Sequence, residues 1–132
     1  MRLTDPATDL EVLPKDVCLD LLRTQQVGRL VLTGGGDADV FPVNYALLGD
    51  DIVFRTAAGT KWRDGPRGRA AFEVDDLDPR ARSGWSVVVH GRLESADDVD
   101  TDALGLHPWS PHEKPHVLRL VSETVSGRRL RG

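Results

Sequence analysis

The side chains best suited to binding an anion lie in one short stretch, FRTAAGTKW, at residues 54–62. Arg55 offers a planar fork of donors, Thr56 a hydroxyl and Lys61 a mobile charge, with only small residues between them. If the loop folds back, these groups could surround a terminal phosphate. A solvated loop, in which the cations pair with a nearby carboxylate, explains the same residue types. Those carboxylates are Asp50, Asp51 and Asp64.

Two glycine-rich segments have the composition of nucleotide-binding loops. TGGGDADV, at 33–40, lacks the G-x-G-x-x-G spacing and precedes a β-rich run rather than a helix. AAGTK, at 57–61, lacks the residue order of a phosphate-binding P-loop. The first is therefore interpreted as a hairpin loop, and a P-loop is excluded.

Metal and thiol chemistry are not predicted. His107, His112 and His116, with Glu113 between them, could ligate zinc, but the intervening prolines prevent a regular helix. Cys18 lies on the apolar face of a predicted helix, where we expect a core residue. As the only cysteine it cannot form an internal disulfide, which fits a reducing cytoplasm.

Composition limits the class of protein. The 132 residues are predicted to form one domain, and 39% apolar content with a net charge of −4 argues against a disordered chain or a strongly basic nucleic-acid binder. No apolar run reaches membrane-spanning length, and the first residues lack a signal core. We expect a cytoplasmic protein with neither nucleic acid nor membrane as partner.

The elements that must position the anion-binding residues are mostly strands. Residues 1–12 are predicted to be a loose lead-in, 14–25 an amphipathic helix stopped near Gly28, and 97–105 a helical turn or two. Six β-rich runs follow the helix, at 27–33, 39–48, 51–56, 69–76, 85–95 and 116–130. This pattern predicts a mainly β fold, a six-stranded antiparallel barrel with one or two peripheral helices. Pro42 should lie at an edge or bulge, where backbone can face a ligand.

Several segments, in order, resemble one known family. They are VGRLVLT, FPVNYALLGDDIVFRTAAGTK, AAFEVDD, SGWSVVVHGRLE and SGRRL, within about residues 13–130. They are similar to the pyridoxamine 5′-phosphate oxidase-like, FMN-binding split-barrel proteins, especially the short actinobacterial branch. The resemblance implies a six-stranded split β-barrel that forms a homodimer, with two flavin sites at the subunit interface.

The resemblance also implies which residues would bind FMN. The strand beside the isoalloxazine ring would be Pro42, Val43, Asn44 and Tyr45. The phosphate and ribityl chain would be held by Arg55, Thr56 and Lys61. The residues lining the site from the other subunit would be Trp85, Ser86 and Val87, and Trp109 would cover the ring or substrate pocket. No catalytic side chain is predicted, because hydride transfer to a flavin needs no protein nucleophile.

The sequence departs from its relatives in three places. Gly65-Pro66 would break the helix with which the relatives continue after Lys61. The longer C-terminal region with substrate-phosphate arginines is missing, so pyridoxamine-phosphate oxidation is not expected. Arg55 stands where nitroimidazole-resistance relatives have a histidine, which argues against that activity.

The predicted function is that of an FMN-binding oxidoreductase moving a hydride between flavin and an unidentified small molecule. One alternative keeps the fold and uses the deazaflavin coenzyme, whose anionic tail would suit the basic C-terminus. Another is a non-enzymatic flavin- or ligand-binding module. A barrel binding single-stranded nucleic acid is disfavoured by the negative net charge and the few aromatic residues.

Overall fold

The computed structural model describes residues 3–34, 36–56, 68–109, 114 and 116–131. Within them the chain forms one helix, α1 (Lys15–Leu22), and eight strands. The strands are β1 (Leu3–Thr4), β2 (Glu11–Leu13), β3 (Val27–Leu32), β4 (Asp39–Leu48), β5 (Asp51–Thr56), β6 (Arg69–Asp78), β7 (Ser83–Ser95) and β8 (His116–Leu130).

Six of the strands close into an antiparallel barrel. Their order is β8-β5-β4-β3-β6-β7, and a ladder between β7 and β8 completes the ring. The register of this ladder shifts at His90/Gly91, where a Cβ on Gly91 would lie 2.0 Å from the carbonyl oxygen of Val121. Such a bulge bends a long strand around a barrel. The predicted mainly β, six-stranded barrel is confirmed.

The N-terminal region differs from its prediction. Instead of a loose lead-in, residues 3–4 form β1 and residues 11–13 form β2, which pairs with the end of β8 through Glu11 and Arg129. Leu13 is buried in the core. Both strands are too short to show a period-2 pattern, so β2 is recognised only by its pairing with β8, and β1 only by its pairing with β2.

The structure contains less helix than the sequence predicted. Helix α1 covers 15–22 rather than 14–25, and Pro14 precedes it as the capping residue. Gly28 does not end the helix but lies within β3. A Cβ at this position would come within 2.1 Å of the Phe72 ring, which explains why the residue is glycine. The acidic stretch 97–105 forms turns instead of a helix.

The barrel interior is filled by alternate side chains of the strands and closed at one end by α1. Phe54, Phe72 and Leu22 are fully buried there. Cys18 is also fully buried, as predicted, and a Cβ on Gly127 of β8 would lie 2.5 Å from its sulfur. The interior is therefore a packed core rather than a ligand cavity.

Residues 96–109, here called the covering segment, pack on the outside of the barrel. Ala96 and Leu106 form a second apolar cluster with Val53 of β5 and Val117 of β8. The backbone N–H of Val117 donates to Oδ1 of Asp97 over 2.7 Å. This contact fixes the start of the covering segment beside β8, which pairs with β5, the strand of Arg55 and Thr56.

Candidate functional site

Strand β4 changes partner halfway along its length. Asp39 to Asn44 pair with β3, whereas Tyr45 to Leu48 pair with β5. Among the described residues, no strand pairs with residues 42–44 on the side away from β3. Pro42, opposite Arg29 of β3, therefore lies at a strand edge, as predicted. The backbone of this half-strand can face a ligand.

The four predicted ring-binding residues of β4 divide between two faces. Val43 and Tyr45 pack towards the core, and the Tyr45 hydroxyl donates to the carbonyl oxygen of Leu22 over 2.5 Å. Burial raises the pKa of Tyr45, so its hydroxyl stays protonated. Pro42 and Asn44 belong to the opposite, outward face because successive strand residues alternate. The side chains of Val43 and Tyr45 are therefore not available to a ligand on the outer face, and the backbone N–H of Tyr45 already donates to the carbonyl oxygen of Gln26.

Asn44 and Trp109 are brought together although they are 65 residues apart. Oδ1 of Asn44 accepts a hydrogen bond of 2.8 Å from the backbone N–H of Trp109, and its Nδ2 donates to the carbonyl oxygen of Gln26. The Trp109 side chain is 70% exposed. The end of the covering segment thus places an uncovered indole beside the open edge of β4.

Arg55 and Thr56 do not converge on one point. Arg55 lies on the outer face of β5, while Thr56 is only 5% exposed and lies on the inner face. Nε of Arg55 donates to the carbonyl oxygen of Lys114 over 2.9 Å, and Nη1 donates to Oγ1 of Thr101 over 2.8 Å. Lys61 and Gly65-Pro66 lie outside the described residues. Arg55 is thus positioned by the covering segment.

The neighbouring carboxylates have other partners. Asp51 forms an ion pair of 2.6 Å with Arg119, and Asp50 one of 3.2 Å with Lys15. Asp64 lies outside the described residues. Neither Asp50 nor Asp51 is paired with Arg55, although the solvated-loop interpretation predicted such a pair.

The second group of predicted residues lies on the opposite side of the barrel. β4 and β7 are separated by two strands in either direction around the ring. On β7, Val87 is fully buried, Trp85 packs partly against the core, and Ser86 belongs to the outer face. Within one chain, Asn44 and Trp85 therefore flank different surfaces.

Sequence reasoning missed a cleft beside Trp85. Its volume is about 560 Å³, and it lies where β7 begins and β8 ends. The lining residues are Ala81, Ser83, Gly84, Trp85, Arg129, Leu130 and Arg131. The basic C-terminus was the only signal in the sequence, and it could not show that these arginines meet an indole.

A cluster of charged residues on the outer face was also missed. Nη1 of Arg29 contacts Glu73 at 3.0 Å and Asp75 at 3.2 Å. Burial, together with the carboxylate of Asp75, raises the pKa of Glu73 to about 7 against the opposing effect of Arg29. Arg29 of β3 is opposite Pro42 on one side and Glu73 of β6 on the other. Only β3 therefore lies between the Glu73 carboxyl group and β4.

The remaining candidates form no centre among the residues described. No group of three or more His, Cys, Asp and Glu side chains in that part of the chain could hold a metal ion. His112 and Glu113 are outside it. No helix in the described ranges is both long and apolar enough to cross a lipid bilayer.

Comparison with known proteins defines the family. A sequence profile of the pyridoxamine 5′-phosphate oxidase family matches residues 14–129. The uncharacterized protein Rv0080 of Mycobacterium tuberculosis is 34% identical over 98% of this chain and 92% of its own length. The chain belongs to the pyridoxamine 5′-phosphate oxidase family, as its segments predicted.

Two solved structures resemble the barrel over nearly their whole length. The FAD binding protein from Mycobacterium smegmatis superposes with a TM-score of 0.71 and 30% identity, over 92% of this chain and 99% of that one. An FAD-binding protein from Mesorhizobium loti gives a TM-score of 0.73 and 28% identity, over 92% and 98%.

Proposed function

We propose that this protein is a homodimeric flavin-binding oxidoreductase that moves a hydride between a bound flavin and a small molecule. Family membership supports the proposal, as do the two solved relatives that are described as FAD-binding. The proposal adds to these the dimer, the assignment of residues and the reaction.

The residues of the open β4 edge fit a flavin. β5 pairs only with Tyr45 to Leu48, so its ladder leaves the backbone of residues 42–44 open on that side. A planar heterocycle with donors and acceptors along its rim can satisfy such an edge. Pro42 lacks an N–H and so needs no acceptor there. Asn44 and Trp109 then lie at one end of the ring position, where they can orient it and exclude water.

The observation that carries the proposal is that the barrel separates two groups of predicted flavin-binding residues. The group on β4, residues 42–45, and the group on β7, residues 85–87, lie on opposite sides of the ring in one chain. A two-fold pair of barrels can bring the β4 edge of one copy against β7 of the other, and does so twice. The partner copy would therefore supply Trp85 and Ser86 to complete each site.

The chain would contribute electrostatics rather than a nucleophile. When bound, a flavin accepts or releases a hydride. Arg29, opposite Pro42 across β3 and β4, holds a guanidinium near the strand that would carry the ring, and the carboxylates of Glu73 and Asp75 keep it in place. The Glu73 carboxyl, with a pKa of about 7, can hold or release a proton at neutral pH.

Arg55 is proposed to bind the phosphate of the cofactor. Among the described residues, its hydrogen bonds to Thr101 and to Lys114 hold the guanidinium at the end of β5. A guanidinium has more N–H donors than these two bonds use, so an anion can still be bound.

Titration with FMN and with riboflavin tests this assignment. Arg55→Ala should weaken FMN binding about tenfold or more and riboflavin binding much less, because only FMN carries the phosphate. Arg92→Ala, which removes an equal charge from an exposed position on β7, is the control. Equal losses for the two flavins would contradict the phosphate assignment. Parallel titrations with FAD and the deazaflavin coenzyme identify the preferred cofactor.

Subunit mixing tests the shared site. Asn44→Ala impairs the β4 side and Ser86→Trp blocks the β7 side, so each homodimer should lose both sites. A heterodimer of the two variants has one site carrying both changes and one carrying neither. We expect it to regain one flavin per dimer. A heterodimer that binds no flavin would show that both residue groups act within one chain.

A further inference from the structure

Arg55 is held in a different way from other well-placed arginines of this protein. Arg29, Arg119 and Arg128 each form an ion pair with a carboxylate. In the part of the chain that the structure describes, the two oxygens that accept from Arg55 are uncharged: the carbonyl oxygen of Lys114 and the hydroxyl oxygen of Thr101. An uncharged acceptor fixes a guanidinium without cancelling its charge, so the charge stays available to a ligand.

The same two hydrogen bonds leave donors for that ligand. A guanidinium carries five N–H donors. Nε of Arg55 donates to Lys114 over 2.9 Å, and Nη1 donates to Thr101 over 2.8 Å. Neither bond uses Nη2. Its two donors, together with the second donor of Nη1, suit the oxygens of a phosphate.

Thr101 is itself fixed in place by the covering segment. It is only 4% exposed, and its carbonyl oxygen accepts a hydrogen bond of 3.0 Å from the backbone N–H of Leu106. Leu106 is buried against Val53 and Val117. Val53 precedes Arg55 by two residues on β5, and Val117 is directly opposite Arg55 on β8. The apolar cluster that holds Thr101 is therefore built on the immediate neighbours of Arg55.

The charge of the covering segment does not attract a phosphate. Its carboxylates are those of Asp97, Asp98, Asp100 and Asp102. Asp97 and Asp100 accept backbone N–H groups, but a hydrogen bond leaves a carboxylate its charge. Because these charges repel a phosphate, it can bind at this end of β5 only if a cation is held in place to receive it.

We propose that Thr101 is a positioning residue of the cofactor site, whose hydroxyl holds the Arg55 guanidinium where the phosphate of a flavin cofactor binds. Ordering a long side chain on binding costs free energy, and a side chain that is ordered beforehand avoids this cost. The inference rests on the proposed function for the cofactor and for the role of Arg55. It adds that the covering segment, through Thr101, determines the preference for a phosphorylated flavin.

The affinities of Thr101→Val for FMN and for riboflavin test the proposal. Valine keeps the shape of the side chain and removes the hydroxyl. We expect FMN to bind about three- to tenfold more weakly, because Arg55 must then be ordered on binding. Riboflavin should bind almost as before, because it has no phosphate and the ring end of the segment is attached separately, through Asn44 and Trp109. A merely structural role of Thr101 would weaken both flavins alike.

Two further variants serve as controls. Thr101→Ser keeps a hydroxyl and should restore the affinity for FMN. Thr124→Val, at an exposed position of β8, should leave both affinities unchanged. If a thermal melt shows that Thr101→Val does not fold, Thr101→Ala takes its place, because the smaller side chain leaves room for water beside the Arg55 donor.

A double variant shows whether Thr101 acts through Arg55. Arg55→Ala alone should weaken FMN binding about tenfold or more, and adding Thr101→Val should weaken it no further. Additive losses would mean that Thr101 acts independently of Arg55 and would overturn the proposal.

The results separate this inference from the proposed function. An unchanged ratio of FMN to riboflavin affinity in the folded Thr101 variants overturns the positioning role, and the phosphate assignment stands if Arg55→Ala still weakens FMN selectively. Equal losses for the two flavins in Arg55→Ala overturn both the phosphate assignment and the role of Thr101. A wild-type protein that binds no flavin refutes the proposed function and this inference with it.

Discussion

Nη1 of Arg55 donates a hydrogen bond of 2.8 Å to Oγ1 of Thr101, which lies 46 residues further along the chain. The contact joins the end of β5 to the covering segment. Thr101 is only 4% exposed, so the bond is shielded from water. The arginine that the sequence assigns to a phosphate is thus also a structural anchor.

Removing the hydroxyl of Thr101 should loosen this anchor. Thr101→Val keeps the shape of the side chain but leaves one Arg55 donor without its partner. We expect the free energy of unfolding to fall by about 1–3 kcal/mol, measured by urea denaturation. Thr124→Val, at an exposed position of β8, is the control and should change stability little. Equal effects of the two substitutions would show that the Arg55–Thr101 bond contributes nothing to stability.

Gly28 should not tolerate a side chain. A Cβ there would lie 2.1 Å from Cε1 of Phe72, a fully buried ring that cannot move without disturbing the core. We expect Gly28→Ala to destabilise the fold by about 1–3 kcal/mol. Combining it with Phe72→Leu should cost less than the sum of the two single changes, because the smaller side chain relieves the contact. Strict additivity would locate the strain elsewhere.

Tyr45 should ionise only when the protein unfolds. It is the only tyrosine, and burial raises its pKa, so the neutral phenol contributes stability up to the ordinary tyrosine pKa of about 10. That stability is lost as pH rises further. Tyrosinate absorbance and tryptophan fluorescence should therefore change together in an alkaline titration. Tyrosinate appearing while the fluorescence stays native would show that the hydroxyl is accessible in the folded state.

Glu73 should make stability depend on pH near neutrality. Its pKa of about 7 lies above the ordinary value of 4.5, so the folded protein binds this proton more tightly than the unfolded chain. The stability it contributes is complete below about pH 4.5 and is lost as pH rises through about 7. Relative to Glu73→Gln, the wild-type protein should become less stable between about pH 5 and 8.

Urea denaturation across that pH range measures the difference. Glu94→Gln, at an exposed position on β7, is the matched control for loss of a carboxylate. A Glu73→Gln curve parallel to the wild-type curve would mean that Glu73 titrates like an ordinary carboxyl group.

The sequence predicted much of the barrel because the relevant signals are local. Alternating apolar residues mark strands wherever they pair, and Pro42 marked a strand edge without reference to its neighbours. The short strands β1 and β2 escaped prediction because β2 pairs with β8, more than a hundred residues away, and β1 pairs only with β2. The prediction that Gly28 ends the helix was wrong because this glycine lies in β3, where the Phe72 ring occupies the space of a side chain.

The sequence indicated candidate site residues by their type, but it did not predict how those residues are arranged in space. Asn44 at the β4 edge and Trp109 are neighbours in the structure. Strand alternation separates Arg55 from Thr56, and barrel closure separates β4 from β7. The cleft at Trp85 depends on the β7–β8 register, which no local pattern encodes.

By itself, then, the sequence determined the class of fold and the family, because periodicity and short segments carry that information. Only the tertiary structure decided that Arg55 anchors the covering segment and that Arg129 and Arg131 meet Trp85. The physical reason is that these relationships arise when distant strands fix their register, which places side chains far apart in the chain on one face.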